Sequence, residues 1–138
     1  MASSADAKLV LLADDNEDNR FIYSTILRHY GYRVKEVVTG PEALEAARSF
    51  PPDAIVLDIS LPGLDGWTVA ARLKADPATR DVAILAVTAH ASSEDERRAR
   101  EFGCAGFLRK PAGPQRIFEE VERLIGGPST PRFPDESP

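Results

Sequence analysis

Five short apolar runs divide the chain and predict five β-strands. Three of them are nearly continuous in aliphatic residues, which is typical of strands buried on both faces of a parallel sheet. Lys35 and Glu36 interrupt the second run, and the short fifth run is followed by Arg109, so both are predicted to lie at sheet edges. The runs comprise residues 9–13, 34–38, 54–57, 82–87 and 107–108.

Helical periodicity fills the segments between these runs. The fourth predicted helix, over residues 92–102, is mostly charged, with Glu and Arg four residues apart on its surface. Trp67, at the start of the third helix, is expected to be partly exposed. The other helices are predicted to bury Ile22, Tyr23, Ile26, Leu27 and Tyr30; Ala43, Leu44, Ala47 and Phe50; Val69, Ala70 and Leu73; and Ile117, Phe118, Val121, Leu124 and Ile125.

This alternation of strand and helix, repeated five times, predicts an α/β domain. Right-handed crossovers then place helices on both faces of a parallel sheet. The domain is expected to span residues 8–126, after a flexible N-terminal segment of residues 1–7. Residues 127–138 are rich in proline and poor in apolar residues, and we expect a disordered tail there.

Composition narrows the classes of function. The length of 138 residues fits one domain, and the net charge of −5 argues against direct binding to nucleic acid or an anionic membrane. No apolar run approaches a membrane span, and the N-terminal residues lack the features of a secretory signal. The single cysteine excludes an internal disulfide and a cysteine-built zinc site, which favours a cytoplasmic location.

Polar residues directly follow four of the five runs. Asp14 and Asp15 follow the first, Asp58 the third, Thr88 the fourth and Lys110 the fifth. Because ligands of parallel sheets bind at the carboxyl ends of the strands, we expect these side chains at one edge. If the first and third strands are neighbours, the three carboxylates form a cluster that favours a hard cation such as Mg²⁺. The ammonium and hydroxyl groups suit phosphate oxygens.

The motifs around these residues resemble the response-regulator receiver domain. The resemblance covers about residues 8–126 and implies the flavodoxin-like strand order 2-1-3-4-5. Four motifs in order are more specific than any one of them. They are Asp14-Asp15-Asn16-Glu17-Asp18-Asn19, Leu57-Asp58-Ile59-Ser60-Leu61-Pro62-Gly63-Leu64-Asp65-Gly66, Val87-Thr88-Ala89 and Lys110-Pro111.

The resemblance implies phosphoryl chemistry at Asp58. This residue would accept a phosphoryl group from a histidine kinase or a histidine phosphotransfer protein. Asp15, Asp58 and the backbone carbonyl of Ser60 would ligate Mg²⁺, with Asp14 acting through water. A structural alternative is that Asp14 and Asp15 cap the first helix.

The resemblance also assigns roles around the phosphoryl group. Lys110 would pair with a phosphoryl oxygen, and the Lys110-Pro111 bond matches a position that is often cis in the family. Thr88 would turn toward the phosphoryl group, and Phe107 would be the aromatic residue that changes rotamer with it. Ser60 and His90, two residues beyond Asp58 and Thr88, would tune hydrolysis. A solvated histidine at position 90 and an ordinary edge-strand aromatic at position 107 are the alternatives.

The function implied is a switch that modifies only itself and is not an enzyme in the usual sense. It would signal to a downstream protein target by contact, either as a phosphorelay shuttle, as an allosteric regulator or within a hybrid-kinase pathway. A Mg²⁺-dependent aspartyl phosphohydrolase is a remote alternative, because that class needs a second aspartate where Ser60 stands. A flavin-binding module is disfavoured because the acidic residues after the first strand would repel the flavin phosphate.

Overall fold

The computed structural model describes residues 7–89 and 92–128. Within these residues, five strands alternate with five helices in the predicted order. The strands are β1 (Leu9–Ala13), β2 (Arg33–Val37), β3 (Ala54–Asp58), β4 (Ala83–Thr88) and β5 (Gly106–Arg109). The helices are α1 (Glu17–His29), α2 (Gly40–Ser49), α3 (Gly66–Ala75), α4 (Ser93–Glu101) and α5 (Pro114–Ile125).

The sheet is parallel and has the order β2-β1-β3-β4-β5, which confirms the predicted fold class and both edge strands. Strand boundaries coincide with the apolar runs or differ from them by one residue at an end. The differences arise because hydrogen-bond register, and not side-chain polarity, sets where pairing ends. Thr88, for example, pairs with Arg109 although neither residue belongs to an apolar run.

Each face of the sheet has its own core. Leu11, Ile55 and Ile84 pack toward α2 and α3, whereas Val10 and Leu12 pack toward α1 and α5. Side chains that alternate along a strand point to opposite faces, so a continuous apolar run fills both cores. The sheet is therefore covered on both sides, and its carboxyl edge is where polar groups can gather.

The predicted exposure of several apolar side chains is wrong. Phe50 is 63% exposed, because α2 ends just before it and its ring lines a groove of about 910 Å³ between β2 and α2. Ile22 and Tyr30 of the predicted α1 core are also exposed. Trp67 is 9% exposed instead of partly exposed, because its ring stacks on Phe102 beyond α4.

The two ends of the domain meet near the amino end of β1. The backbone N–H of Lys8 donates to the carbonyl of Pro128 at 2.6 Å, and the carbonyl of Ala7 accepts from the Arg33 guanidinium at 2.8 Å. Contacts to the domain thus extend slightly beyond residues 8–126. The rest of the predicted N-terminal segment and of the predicted tail lies outside the described residues. None of the described helices is long and apolar enough to cross a membrane.

Candidate functional site

The carboxyl edge of the sheet brings together residues that are far apart in the chain. Asp14 follows β1, Asp58 is the last residue of β3, and Lys110 follows β5. The Lys110 ammonium lies 2.7 Å from Asp58 Oδ2 and 4.0 Å from Asp14 Oδ2. Two acidic groups and one basic group therefore converge as the strand-end pattern predicted.

The carboxylate of Asp58 is buried and fully held by hydrogen bonds. The residue is 2% exposed. Its Oδ2 accepts from Lys110, and its Oδ1 accepts from the backbone N–H of Ser60 at 2.9 Å and from the Ser60 hydroxyl at 2.8 Å. Charge-assisted bonds of this kind fix the orientation of both oxygens. Both oxygens of this carboxylate are therefore held in place by neighbouring groups of the protein.

Asp14 is held by the first turn of α1. It is 3% exposed, and its carboxylate accepts from the backbone N–H of Asn16 at 2.9 Å and from the Asn19 amide at 3.3 Å. Arg20 donates to its carbonyl at 2.9 Å. Burial raises the pKa of Asp14, the nearby Asp58 charge raises it further, and the hydrogen bond from Asn16 and the Lys110 charge oppose this.

Asn16, and not Asp14 or Asp15, caps α1. The Asn16 side chain accepts from the backbone N–H of Asn19 at 2.8 Å. The alternative in which Asp14 and Asp15 cap α1 is therefore wrong. Asn19 and Arg20 support Asp14 but are not among the supports predicted from the sequence. The Asn16–Asn19 spacing, which joins a cap to the third helical residue, is the signal that could have identified the first of them.

Lys110 is the cation of this cluster. Burial lowers its pKa, but the hydrogen bond and charge of Asp58, with the charge of Asp14, outweigh burial and raise the pKa of Lys110 above its ordinary value. The ammonium therefore stays charged at neutral pH. Its backbone N–H donates to the carbonyl of Thr88 at 2.7 Å, and the peptide bond to Pro111 is cis, as the resemblance implied.

Three carboxylates form a candidate metal centre. Asp14, Asp15 and Asp58 each offer an oxygen, and these oxygens lie within 4.8 Å of one another. Asp14 and Asp58 are buried, whereas Asp15 is exposed and accessible to solvent. Within the described part of the chain, three carboxylates share the ammonium of Lys110 and are short of positive charge, and an all-oxygen donor set fits Mg²⁺.

The loop after Asp58 is held close to α3 by a glycine. The backbone N–H of Gly66 donates to the carbonyl of Ile59 at 2.9 Å. A Cβ atom at position 66 would lie 2.5 Å from Ile59 Cα, so only glycine fits this approach. The loop that carries Ser60 is thereby tied to the start of α3.

The other predicted site residues lie around this cluster to different extents. Thr88 is the last residue of β4 and is 6% exposed. Phe107 of β5 is partly buried and packs against a small cluster that contains Trp67 and Ala86. His90 lies outside the described residues, so its predicted tuning role has no structural counterpart here.

Comparison with known proteins agrees with the architecture and the motifs. The family model of the response regulator receiver domain matches residues 10–122. The polar-differentiation response regulator DivK of Brucella ovis is 36% identical over 119 residues, which is 86% of this chain and 97% of DivK.

Solved structures share the fold. A response regulator of Chloroflexus aurantiacus superposes with a TM-score of 0.81 at 31% identity, covering 86% of this chain and 98% of that one. The receiver domain of a sensor histidine kinase of Pseudomonas aeruginosa, solved with a magnesium ion in its active-site cleft, has a TM-score of 0.79 at 33% identity, covering 88% and 99%. This chain belongs to the response regulator receiver family of two-component signalling.

Proposed function

We propose that the domain is a phosphorylation-activated switch whose phosphoryl acceptor is Asp58. The observation that carries the proposal is the buried Asp58 carboxylate, held between Lys110 and Ser60 beside two further carboxylates. The phosphoryl donor would be a phosphohistidine on a histidine kinase or on a histidine phosphotransfer protein. Phosphorylated and unphosphorylated forms would then differ in their contacts with a downstream protein.

Mg²⁺ fits the acidic cluster, and we propose its ligands from the residues there. Asp15, Asp58 and the backbone carbonyl of Ser60 would bind the ion directly, and Asp14 would act through water. The bound ion would neutralise charge on the phosphoryl oxygens during transfer. The magnesium ion in the related Pseudomonas aeruginosa receiver supports this assignment.

The transfer step follows from the groups that surround Asp58. One carboxylate oxygen attacks phosphorus while the bond from phosphorus to the histidine nitrogen breaks, and that nitrogen keeps the bonding electron pair. Lys110, already 2.7 Å from Asp58 Oδ2, would pair with a phosphoryl oxygen. Thr88 would then turn toward the phosphoryl group and Phe107 would change rotamer inward.

The proposal leaves two kinds of output to distinguish. A phosphorelay shuttle passes its phosphoryl group on to a second histidine domain, whereas a regulator only binds its target. Transfer from the phosphorylated chain to purified phosphotransfer domains separates the two.

We further propose that residues 8–126 form the functional unit and that it acts in the cytoplasm.

Phosphorylation by a small donor tests the central claim. The chain is incubated with acetyl phosphate and Mg²⁺, and its intact mass is measured. We expect one added phosphoryl group that is absent in Asp58→Ala and after chelation of Mg²⁺. Asp53→Asn is the control and should still be phosphorylated. Asp53 lies at the amino ends of the strands, away from the site, where its side chain accepts from the Leu9 N–H at 2.7 Å. Equal phosphorylation of Asp58→Ala and the unsubstituted chain would overturn the proposal.

Ser60 and His90 are predicted to tune how long the phosphoryl group persists. The Ser60 hydroxyl bonds Asp58 Oδ1 at 2.8 Å, so removing it changes the surroundings of the acyl phosphate without removing the nucleophile. We expect Ser60→Ala and His90→Ala each to change the decay rate by about twofold or more, as a lost hydrogen bond does. Decay is followed by intact mass after removal of the donor. Unchanged half-lives in both variants would refute the tuning role.

A further inference from the structure

We propose that Tyr23 is a positioning residue for Lys110, an inference that rests on the proposed function. Tyr23 lies in α1 and is 5% exposed. Its hydroxyl donates to the carbonyl of Ala112 at 2.7 Å, joining groups 89 residues apart in sequence. Ala112 is two residues beyond Lys110 in the loop between β5 and α5. The hydrogen bond therefore ties the loop that carries the ammonium to the helix that supports Asp14.

The composition of this loop makes an external tie important. Pro111 and Pro114 have no backbone N–H, so neither can anchor the loop as a donor. Gly113 caps α5 without a side-chain hydrogen bond. The loop begins at the bond from Lys110 N to the Thr88 carbonyl, and the Tyr23 hydroxyl holds its far side. The loop is thus held toward β4 at Lys110 and toward α1 at Ala112.

The electrostatic surroundings keep Tyr23 in its donor form. Burial raises the pKa of Tyr23, and the negative charge of Asp14 raises it further. The hydroxyl consequently remains protonated at neutral pH and can donate to the carbonyl throughout the reaction. Among the described residues, the Tyr23 hydroxyl donates its hydrogen bond to Ala112 and not to Asp14, Asp58 or Lys110, so the loop is the direct contact through which we expect it to act.

A second buried tyrosine provides a matched control. Tyr32 is 3% exposed, and its hydroxyl donates to the carbonyl of Gly126 at 2.6 Å. Both rings pack in the same core cluster, and both bonds join a tyrosine hydroxyl to a backbone carbonyl flanking α5. The Tyr32 bond lies at the carboxyl end of α5, and the Tyr23 bond lies before its amino end. Removing either hydroxyl removes a similar hydrogen bond, but of the two only the Tyr23 bond lies near Lys110.

The experiment compares Tyr23→Phe with Tyr32→Phe. Phosphorylation rates with acetyl phosphate are measured at saturating Mg²⁺, and the Mg²⁺ dissociation constant is measured separately by calorimetry. We expect Tyr23→Phe to be phosphorylated about three- to tenfold more slowly, the effect of one lost hydrogen bond, and Tyr32→Phe to match the unsubstituted chain. Mg²⁺ affinity should be unchanged in both, because neither tyrosine bonds a carboxylate of the metal cluster.

A double substitution separates positioning from a general loss of packing. If Tyr23 acts through Lys110, adding Tyr23→Phe to Lys110→Ala should not slow phosphorylation further. Equal rates for the two phenylalanine variants, or a full additional loss in the Lys110→Ala background, would overturn the inference and leave the proposed function standing. Absence of phosphorylation in the unsubstituted chain would overturn both.

Discussion

Two buried acidic sites in this molecule are balanced in opposite ways. On α5, Glu120 is 8% exposed and lies between two guanidinium groups, at 3.2 Å from Arg116 and 2.8 Å from Arg123. At the sheet edge, Asp14 and Asp58 are still more buried and share the single ammonium of Lys110. The Glu120 carboxylate thus has two cations within 4.0 Å, whereas among the described residues the two buried carboxylates at the sheet edge share only Lys110 within that distance.

The pKa values respond in opposite directions. The hydrogen bond from Arg123 lowers the pKa of Glu120 against the effect of burial, and the charges of Arg123 and Arg116 lower it further. Burial raises the pKa of Asp14, so its charged form is disfavoured in the folded protein. On α5 the carboxylate is compensated by its arginine neighbours, whereas at the sheet edge the described carboxylates outnumber the ammonium beside them. This contrast separates the candidate metal centre from an ordinary buried acid.

Mg²⁺ should produce the largest difference between the two sites. An ion that binds only the folded chain stabilises it by about 2.7 kcal/mol at a concentration one hundred times its dissociation constant. We expect this increase in the free energy of unfolding for the unsubstituted chain, and most of it to be lost in Asp15→Asn. Asp15 is exposed, so its replacement should leave the fold intact. The measurement is urea unfolding with Mg²⁺ or with EDTA.

Two control variants sharpen this result. Asp18→Asn removes an exposed acid from the first turn of α1 outside the metal cluster. Glu120→Gln removes the buried acid on α5. Both should keep the full response to Mg²⁺. An equal response in Asp15→Asn would mean that the acidic cluster does not hold the ion and would break the contrast between the two sites.

The pH dependence of stability should reveal Asp14 in the absence of metal. Its folded-state pKa is raised above the ordinary value of 3.8, so its ionisation costs stability. The free energy of unfolding should fall as the pH rises from this value through the folded-state pKa. In EDTA, Asp14→Asn should therefore be more stable than the unsubstituted chain at neutral pH, and the difference should vanish near pH 3.8. Urea titrations across this range measure it, and a destabilised Asp14→Asn at neutral pH would contradict the expectation.

The sequence predicted the polar edge of the sheet because its signals are local. Four of the five apolar runs are followed by recognisable polar residues, and parallel strands bring their carboxyl ends together. Asp14, Asp58 and Lys110 could be placed in this way from the sequence. The motifs then supplied the strand order that brings β1 beside β3.

The supports of that edge could not be predicted because they depend on tertiary contacts. Tyr23 was assigned to the apolar face of α1, and nothing local shows that its hydroxyl reaches Ala112. Phe50 and Trp67 fail for a related reason. An apolar residue at a helix end is buried only if a neighbouring element covers it. No described element buries Phe50, whereas Phe102 covers Trp67.

Glu120 should give the smallest effect and the opposite pH slope. Its pKa lies below the ordinary value of 4.5, so it contributes stability above that pH that is lost as the pH falls through its folded-state pKa. Because both arginine partners are more than half exposed, Glu120→Gln should cost less than about 1 kcal/mol at neutral pH. High salt should shrink that cost, and Mg²⁺ should not alter it. For Asp14→Asn in EDTA, stability relative to the unsubstituted chain is expected to rise with pH. The same trend in Glu120→Gln would show that the two arginines do not compensate this carboxylate.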